Sequence, residues 1–123
     1  MWFPVIRSGR GSSNSMADKF DYNFTQKAVQ DLEEILHYIS VELSNSQAAA
    51  RLNVHIFQSI DMLRSFPDMG AIVDNEFIKD KTVRKVIVGH FILYYKNHYD
   101  AQSITILRIL YGRRNLNEIL QSF

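Results

Sequence analysis

Cysteine is absent from all 123 residues, which excludes thiol catalysis, disulfide staples and zinc-thiolate sites. The absence fits a reducing cytosol, and a cytoplasmic location is the expectation. No run approaches the roughly 18 consecutive apolar residues of a membrane-spanning helix, so no membrane partner is expected. Internal repeats and low-complexity tracts are also missing. The four histidines, His37, His55, His90 and His98, show no metal-ligand spacing, so neither a metal nor a cofactor is expected. What the chain does have is 46% hydrophobic residues, sufficient for one core without staples.

Residues 1–15 differ in composition from all that follows: two arginines, two glycines and four serines after a short apolar start, without periodicity. They read as a vector-derived leader or a disordered extension, the apolar part being too short for a signal peptide. Met16-Ala17-Asp18-Lys19 reads as the native start, and residues 16–123 as a single domain. Within it charge is polarised. Residues 16–78 hold four basic side chains against ten acidic ones, and residues 79–123 hold eight against three. Either the C-terminal half meets an anionic partner, or acidic helices match a basic sheet inside the molecule.

Periodicity supplies the elements. Phe20, Tyr22 and Phe24 alternate with polar residues as in a half-buried strand. Thr25 then caps a helix whose apolar stripe is Ala28, Leu32, Ile35, Leu36, Ile39 and Leu43. Ser44-Asn45-Ser46 breaks it, and Asn45 or Ser46 caps a second helix carrying Ala49, Leu52, Ile56, Ile60 and Leu63, which ends near Phe66-Pro67. So short a break predicts an antiparallel helical hairpin. Pro67-Asp68-Met69-Gly70 is a turn signal, and the polar stretch to Lys81 reads as a loop. Val83 to Val88, Phe91 to Tyr99 and Ile104 to Tyr111 then read as an antiparallel meander, with Ile104 to Tyr111 the best interior strand. Leu116, Ile119, Leu120 and Phe123 suggest a short C-terminal helix. The expected fold class is α+β: an N-terminal strand, a two-helix hairpin on one face of a sheet, a three-stranded meander and that final helix.

From Tyr22 to Leu120 the chain resembles the RelE/ParE superfamily of bacterial type II toxins. The matching pieces are residues 28–35, Ile60-Asp61-Met62-Leu63 running into Phe66-Pro67-Asp68-Met69-Gly70, residues 88–95, and Ile106 to Arg114 ending in Tyr111-Gly112-Arg113-Arg114. The resemblance implies an antitoxin partner, a toxin-antitoxin hetero-oligomer and one of two targets. Members resembling RelE are endoribonucleases that cut messenger RNA on the ribosome; members resembling ParE inhibit DNA gyrase. In the RelE branch an arginine usually stands where this chain has Phe91, and a catalytic aromatic near Leu120. Both positions are apolar here, so the resemblance favours the ParE branch: a non-enzymatic toxin that binds and poisons gyrase, with plasmid stabilisation as the associated role.

The residues expected to meet target or antitoxin are the basic cluster Arg84, Lys85, Arg113 and Arg114, together with Arg108 and Tyr111. If the chain is instead a nuclease, Arg84, Lys85, His90 and Arg114 are the expected catalytic set. Each residue has a plainer reading. His90 is a near-neutral base or an exposed turn residue. Tyr94, Tyr95, Tyr99 and Tyr111 form a base-stacking surface or are ordinary strand residues. Arg108, set among Leu107 and Ile109, either faces a partner or pairs with a helical carboxylate, Asp31 or Glu34 for instance, because an unpaired buried charge is costly.

Overall fold

The computed structural model describes residues 19–112. The first strand, β1 (Asp21–Phe24), leads into α1 (Gln26–His37), a π-helical turn (Tyr38–Glu42) and α2 (Ser46–Ser65). Four strands follow: β2 (Ala71–Ile72), β3 (Arg84–Val88), β4 (Phe91–His98) and β5 (Ser103–Tyr111). The caps are those the sequence implies. The amide of Ala28 donates to Thr25 Oγ1 at 3.0 Å and that of Ala48 to Asn45 Oδ1 at 3.0 Å, each satisfying an amide that a helix start leaves unbonded.

The sheet corrects the sequence expectation. It has five strands in the order β1-β5-β4-β3-β2, not a separate strand beside a three-stranded meander. β1 runs parallel to β5, with Asp21 to Phe24 opposite Ser103 to Ile106. That puts β5 in the interior, as its two apolar faces require. β2 lies within the stretch expected to be loop; Ala71 and Ile72 pair with Lys85 and Arg84. Two exposed residues show no alternation, so periodicity could not have found this strand. The predicted C-terminal helix, the leader and the start at Met16 lie outside the described residues.

One face of the sheet carries the main core. Ala28 and Leu32 of α1 and Ile56, Ile60 and Leu63 of α2 pack on Val88, Leu93, Tyr95, Ile104, Ile106 and Ile109. The helix stripe does not stay buried along its whole length. Leu43 is exposed, as are Tyr38 and Val41, because the π-helical turn widens the repeat and moves the stripe off the sheet. The opposite face has a second, smaller core: Val73, Ile78 and Val83 pack on Tyr94 and Leu110. The two valines flank, and the isoleucine sits in the middle of, an irregular strap, Asp74 to Thr82, laid across the sheet.

The turn after α2 is bolted to the sheet. Tyr95 donates its hydroxyl to the Pro67 carbonyl at 2.7 Å and accepts the Gly70 amide at 3.0 Å. Arg84 Nη1 donates to the carbonyls of Gly70 at 2.6 Å and Asp68 at 3.1 Å, and Asn97 Nδ2 donates to Asp68 Oδ1 at 2.9 Å. A Cβ at Gly70 would stand 2.6 Å from the Tyr95 hydroxyl and 2.7 Å from the Lys85 carbonyl, a separation no side chain tolerates. Gly89 serves differently: its φ of 63° closes the β3–β4 hairpin, a left-handed turn conformation that glycine adopts without penalty.

Candidate functional site

β1 stops pairing with β5 at Ile106 because the chain turns into α1 there. The freed edge of β5 is satisfied by α1 instead. Thr25 Oγ1 donates to the Leu107 carbonyl at 2.9 Å, and the Ile109 amide donates to Asp31 Oδ2 at 3.0 Å. At the same place β5 has a bulge opposite Tyr94 and Tyr95. A bulge re-aims side chains. Arg108 is paired in register with Tyr94, whose ring packs on the strap side, yet its guanidinium reaches α1. Arg108 Nε donates to Asp31 Oδ2 at 2.8 Å and Nη2 to Oδ1 at 2.9 Å, a bidentate pair with both side chains largely buried. The bond to Asp31 raises the Arg108 pKa above its usual value, outweighing burial, which lowers it.

Beyond Asp31 lies a cavity of about 720 Å³. Ile35, Tyr38, Ile39 and Leu43 form its helical wall, Phe91, Ile109 and Tyr111 its sheet wall, and Asp31, Glu34 and His90 its polar members. Phe91 and Tyr111 pack as a tilted pair, 5.6 Å between ring centroids with 59° between their planes, and the Gly112 amide donates to the His90 carbonyl at 2.9 Å. Those contacts fix the hairpin tip against the end of β5. Among the described residues the cavity lining is mainly apolar, with the Glu34 carboxylate at its edge.

Of the expected site residues, His90 and Tyr111 line this cavity together and Arg108 sits behind it, held by Asp31. Arg84 and Lys85 lie at the other end of β3, about 13 Å along the strand from the hairpin turn at ~3.3 Å per residue. Arg84 is committed to the Asp68–Gly70 turn. Lys85 is half-exposed, and since Val86 and Val88 face the helices it lies on the strap side. Arg113 and Arg114 lie outside the described residues. The tyrosines form no common stacking surface. Tyr94 is 1% exposed beneath the strap and Tyr95 0% exposed beneath the helices, while Tyr99 is exposed in the turn after β4 and Tyr111 at the end of β5. Burial raises the pKa of both Tyr94 and Tyr95.

Sequence reasoning missed the cavity, for which the signal was the apolar stripe continuing past the sheet through Ile39 and Leu43. It also missed Asp68 and Asn97, polar residues in a turn and a strand with no pattern to mark them. Among the described residues no group of three or more histidines or carboxylates is placed to hold a metal, and no helix is long and apolar enough to cross a membrane.

Comparison with known proteins adds to this geometry. A family model described as ParE toxin of type II toxin-antitoxin system, parDE, matches residues 22–116. Among solved structures, the chromosomal ParDE toxin-antitoxin system from P. aeruginosa is similar at 24% identity. That match covers 73% of this chain and 92% of that one, with a TM-score of 0.56. The toxin-antitoxin complex RelBE2 from Mycobacterium tuberculosis is similar at 17% identity, covering 76% of this chain and 98% of that one, with a TM-score of 0.52. At these identities the two structures establish the shared fold. No curated protein sequence matches the chain.

Proposed function

The chain belongs to the ParE toxin family of type II toxin-antitoxin systems, and on that premise we propose that it arrests growth by binding a protein target, DNA gyrase, rather than by cutting RNA. The observation that carries this reading is how its basic side chains are used. Cleaving an RNA phosphodiester needs a proton acceptor and a cation held at one phosphate. Arg108 and Asp31 instead neutralise each other, Arg84 is bonded to a turn, and among the described residues the charged ones lining the cavity with His90 and Tyr111 are Glu34 and the already paired Asp31. The Glu34 carboxylate disfavours phosphate there. An apolar cavity with an anionic edge suits a polypeptide bearing apolar and basic side chains.

A cognate antitoxin is the second partner in this reading. Both similar structures are toxin-antitoxin systems or complexes, and such a partner neutralises the toxin by covering surface the target would need. The nuclease alternative draws its support from a single feature, an imidazole and a phenol, His90 and Tyr111, on one cavity. Two parallel reactions separate the readings. Purified protein is added to plasmid supercoiling by gyrase with ATP, and to cell-free translation with the messenger ends mapped. Lost supercoiling or cleaved plasmid with intact messenger is expected. Cut messenger with normal supercoiling would overturn the proposal.

A further inference from the structure

The strap on the second face has unusual construction. Its two ends are joined, the Val73 amide donating to the Val83 carbonyl at 2.9 Å, so the chain leaves and returns at nearly one point. Compact loops with closed ends are a recognised surface unit, frequently functional. Most of the strap's polar bonds are internal. Phe77 donates its amide to Asn75 Oδ1 at 2.7 Å, Ile78 its amide to the Asn75 carbonyl at 3.1 Å, and Lys81 its ammonium to that same carbonyl at 3.1 Å. Thr82 donates to Asp80 Oδ1 from its amide at 2.9 Å and its hydroxyl at 2.5 Å. None of these breaks when the strap lifts.

Between the joined ends, two contacts stand out among the described residues as holding the strap down. One is Ile78, a single apolar plug 3% exposed, packed with Tyr94 and Leu110. The other is the ion pair of Asp80 with Lys96 of β4, at 2.6 Å and partly exposed on both sides. Neither belongs to the helix-side core. We propose that Asp74–Thr82 is a hinged strap that opens as a unit, with the rest of the domain folded, and that opening bares the Tyr94, Leu110, Ile92 and Leu107 face of the sheet. This is independent of the target assigned above. Opening needs rotation at Val73 and Val83 and the loss of one plug and one ion pair, whereas unfolding needs the loss of both cores. Segments with few buried contacts open at free energies well below the global value.

Limited trypsin digestion tests the proposal, because Lys79 and Lys81 lie in the strap while Lys27 and Arg51 are exposed on α1 and α2. Cleavage of a transiently opened segment tracks the population of the open form. In the intact chain, first cuts at Lys79 or Lys81 should precede those at Lys27 and Arg51. Lys96→Met should speed strap cleavage up to about fivefold, as loss of a partly exposed ion pair allows, and Ile78→Ala about 30-fold or more, as loss of a buried isoleucine allows. Cleavage at the helix sites should stay unchanged in Lys96→Met, which keeps the test valid should Ile78→Ala fold poorly. Strap cuts that appear only together with helix cuts, in the intact chain and in Lys96→Met alike, would overturn it.

Discussion

The two faces of the sheet are closed by different means. Two long helices cover one face with a core drawn from α1, α2 and four strands, and a bidentate ion pair ties α1 to the bulge of β5. The other is closed by an irregular strap through three apolar side chains and one partly exposed ion pair. The chemistry buried is similar, isoleucine, valine, leucine and tyrosine on both sides. What differs is whether the cover is itself held in place. The helices are anchored along their length by caps, the β5 edge and the bolted turn, while the strap is anchored at its ends. Burial alone therefore does not tell how strongly a face is sealed; the number of independent attachments does.

The largest expected effect breaks the stronger side. Arg108→Ala leaves Asp31 charged and without its bidentate partner, and should cost about 3–5 kcal/mol of unfolding free energy in urea. Leu63→Ala, at a fully buried position of α2, should cost about 2–5 kcal/mol in the same measurement. Ile78→Ala removes an equally buried side chain from the strap but should cost less than Leu63→Ala. Once the strap is open its burial is already forfeited, so the global loss cannot exceed the strap's own closing free energy. Equal losses at Leu63 and Ile78 would erase the distinction between the faces.

Two smaller changes sharpen it. Tyr95→Phe deprives the Pro67 carbonyl and the buried Gly70 amide of their bonds, an expected loss of about 1–3 kcal/mol with the Asp68–Gly70 turn loosened in amide exchange. Acidification should leave the strap's closure intact. Lys96 and then Thr82, bonding to its carboxylate, hold Asp80 well below the usual carboxylate range. A depressed carboxylate contributes stability that is present above its unfolded pKa of about 3.9 and lost only as pH falls through the lower folded value. Amide exchange in the strap, corrected for intrinsic rates, should accordingly show no loosening attributable to Asp80 between pH 7 and pH 4.

Much of the fold was legible in the sequence because its signals are local. Thr25 and Asn45 cap helices through their own side chains, and the aromatic and β-branched run from Phe91 to Tyr95 marks a strand without knowledge of the neighbours. The parallel β1–β5 pairing was not legible, since it joins residues some eighty positions apart and leaves no mark on either run. β2 was missed because two exposed residues have no period. At the candidate site, the sequence singled out the charged residues and not the apolar wall. Asp31 was foreseen as a partner for Arg108 by the cost of an unpaired charge, and that argument was physical. What no periodicity could show was the bulge that turns Arg108 from the strap side toward α1, or the turn carbonyls that take up Arg84.

The central claim is that Arg108 holds the fold and does not itself meet the target. The most direct test is the double variant Asp31→Asn with Arg108→Gln, which removes both charges and keeps an acceptor for the Ile109 amide. Its stability should lie well above that of Arg108→Ala, because no buried charge is left unpaired, and expressed without antitoxin it should still arrest growth. A double variant that folds with normal stability and no longer arrests growth would contradict the account and make Arg108 a contact residue.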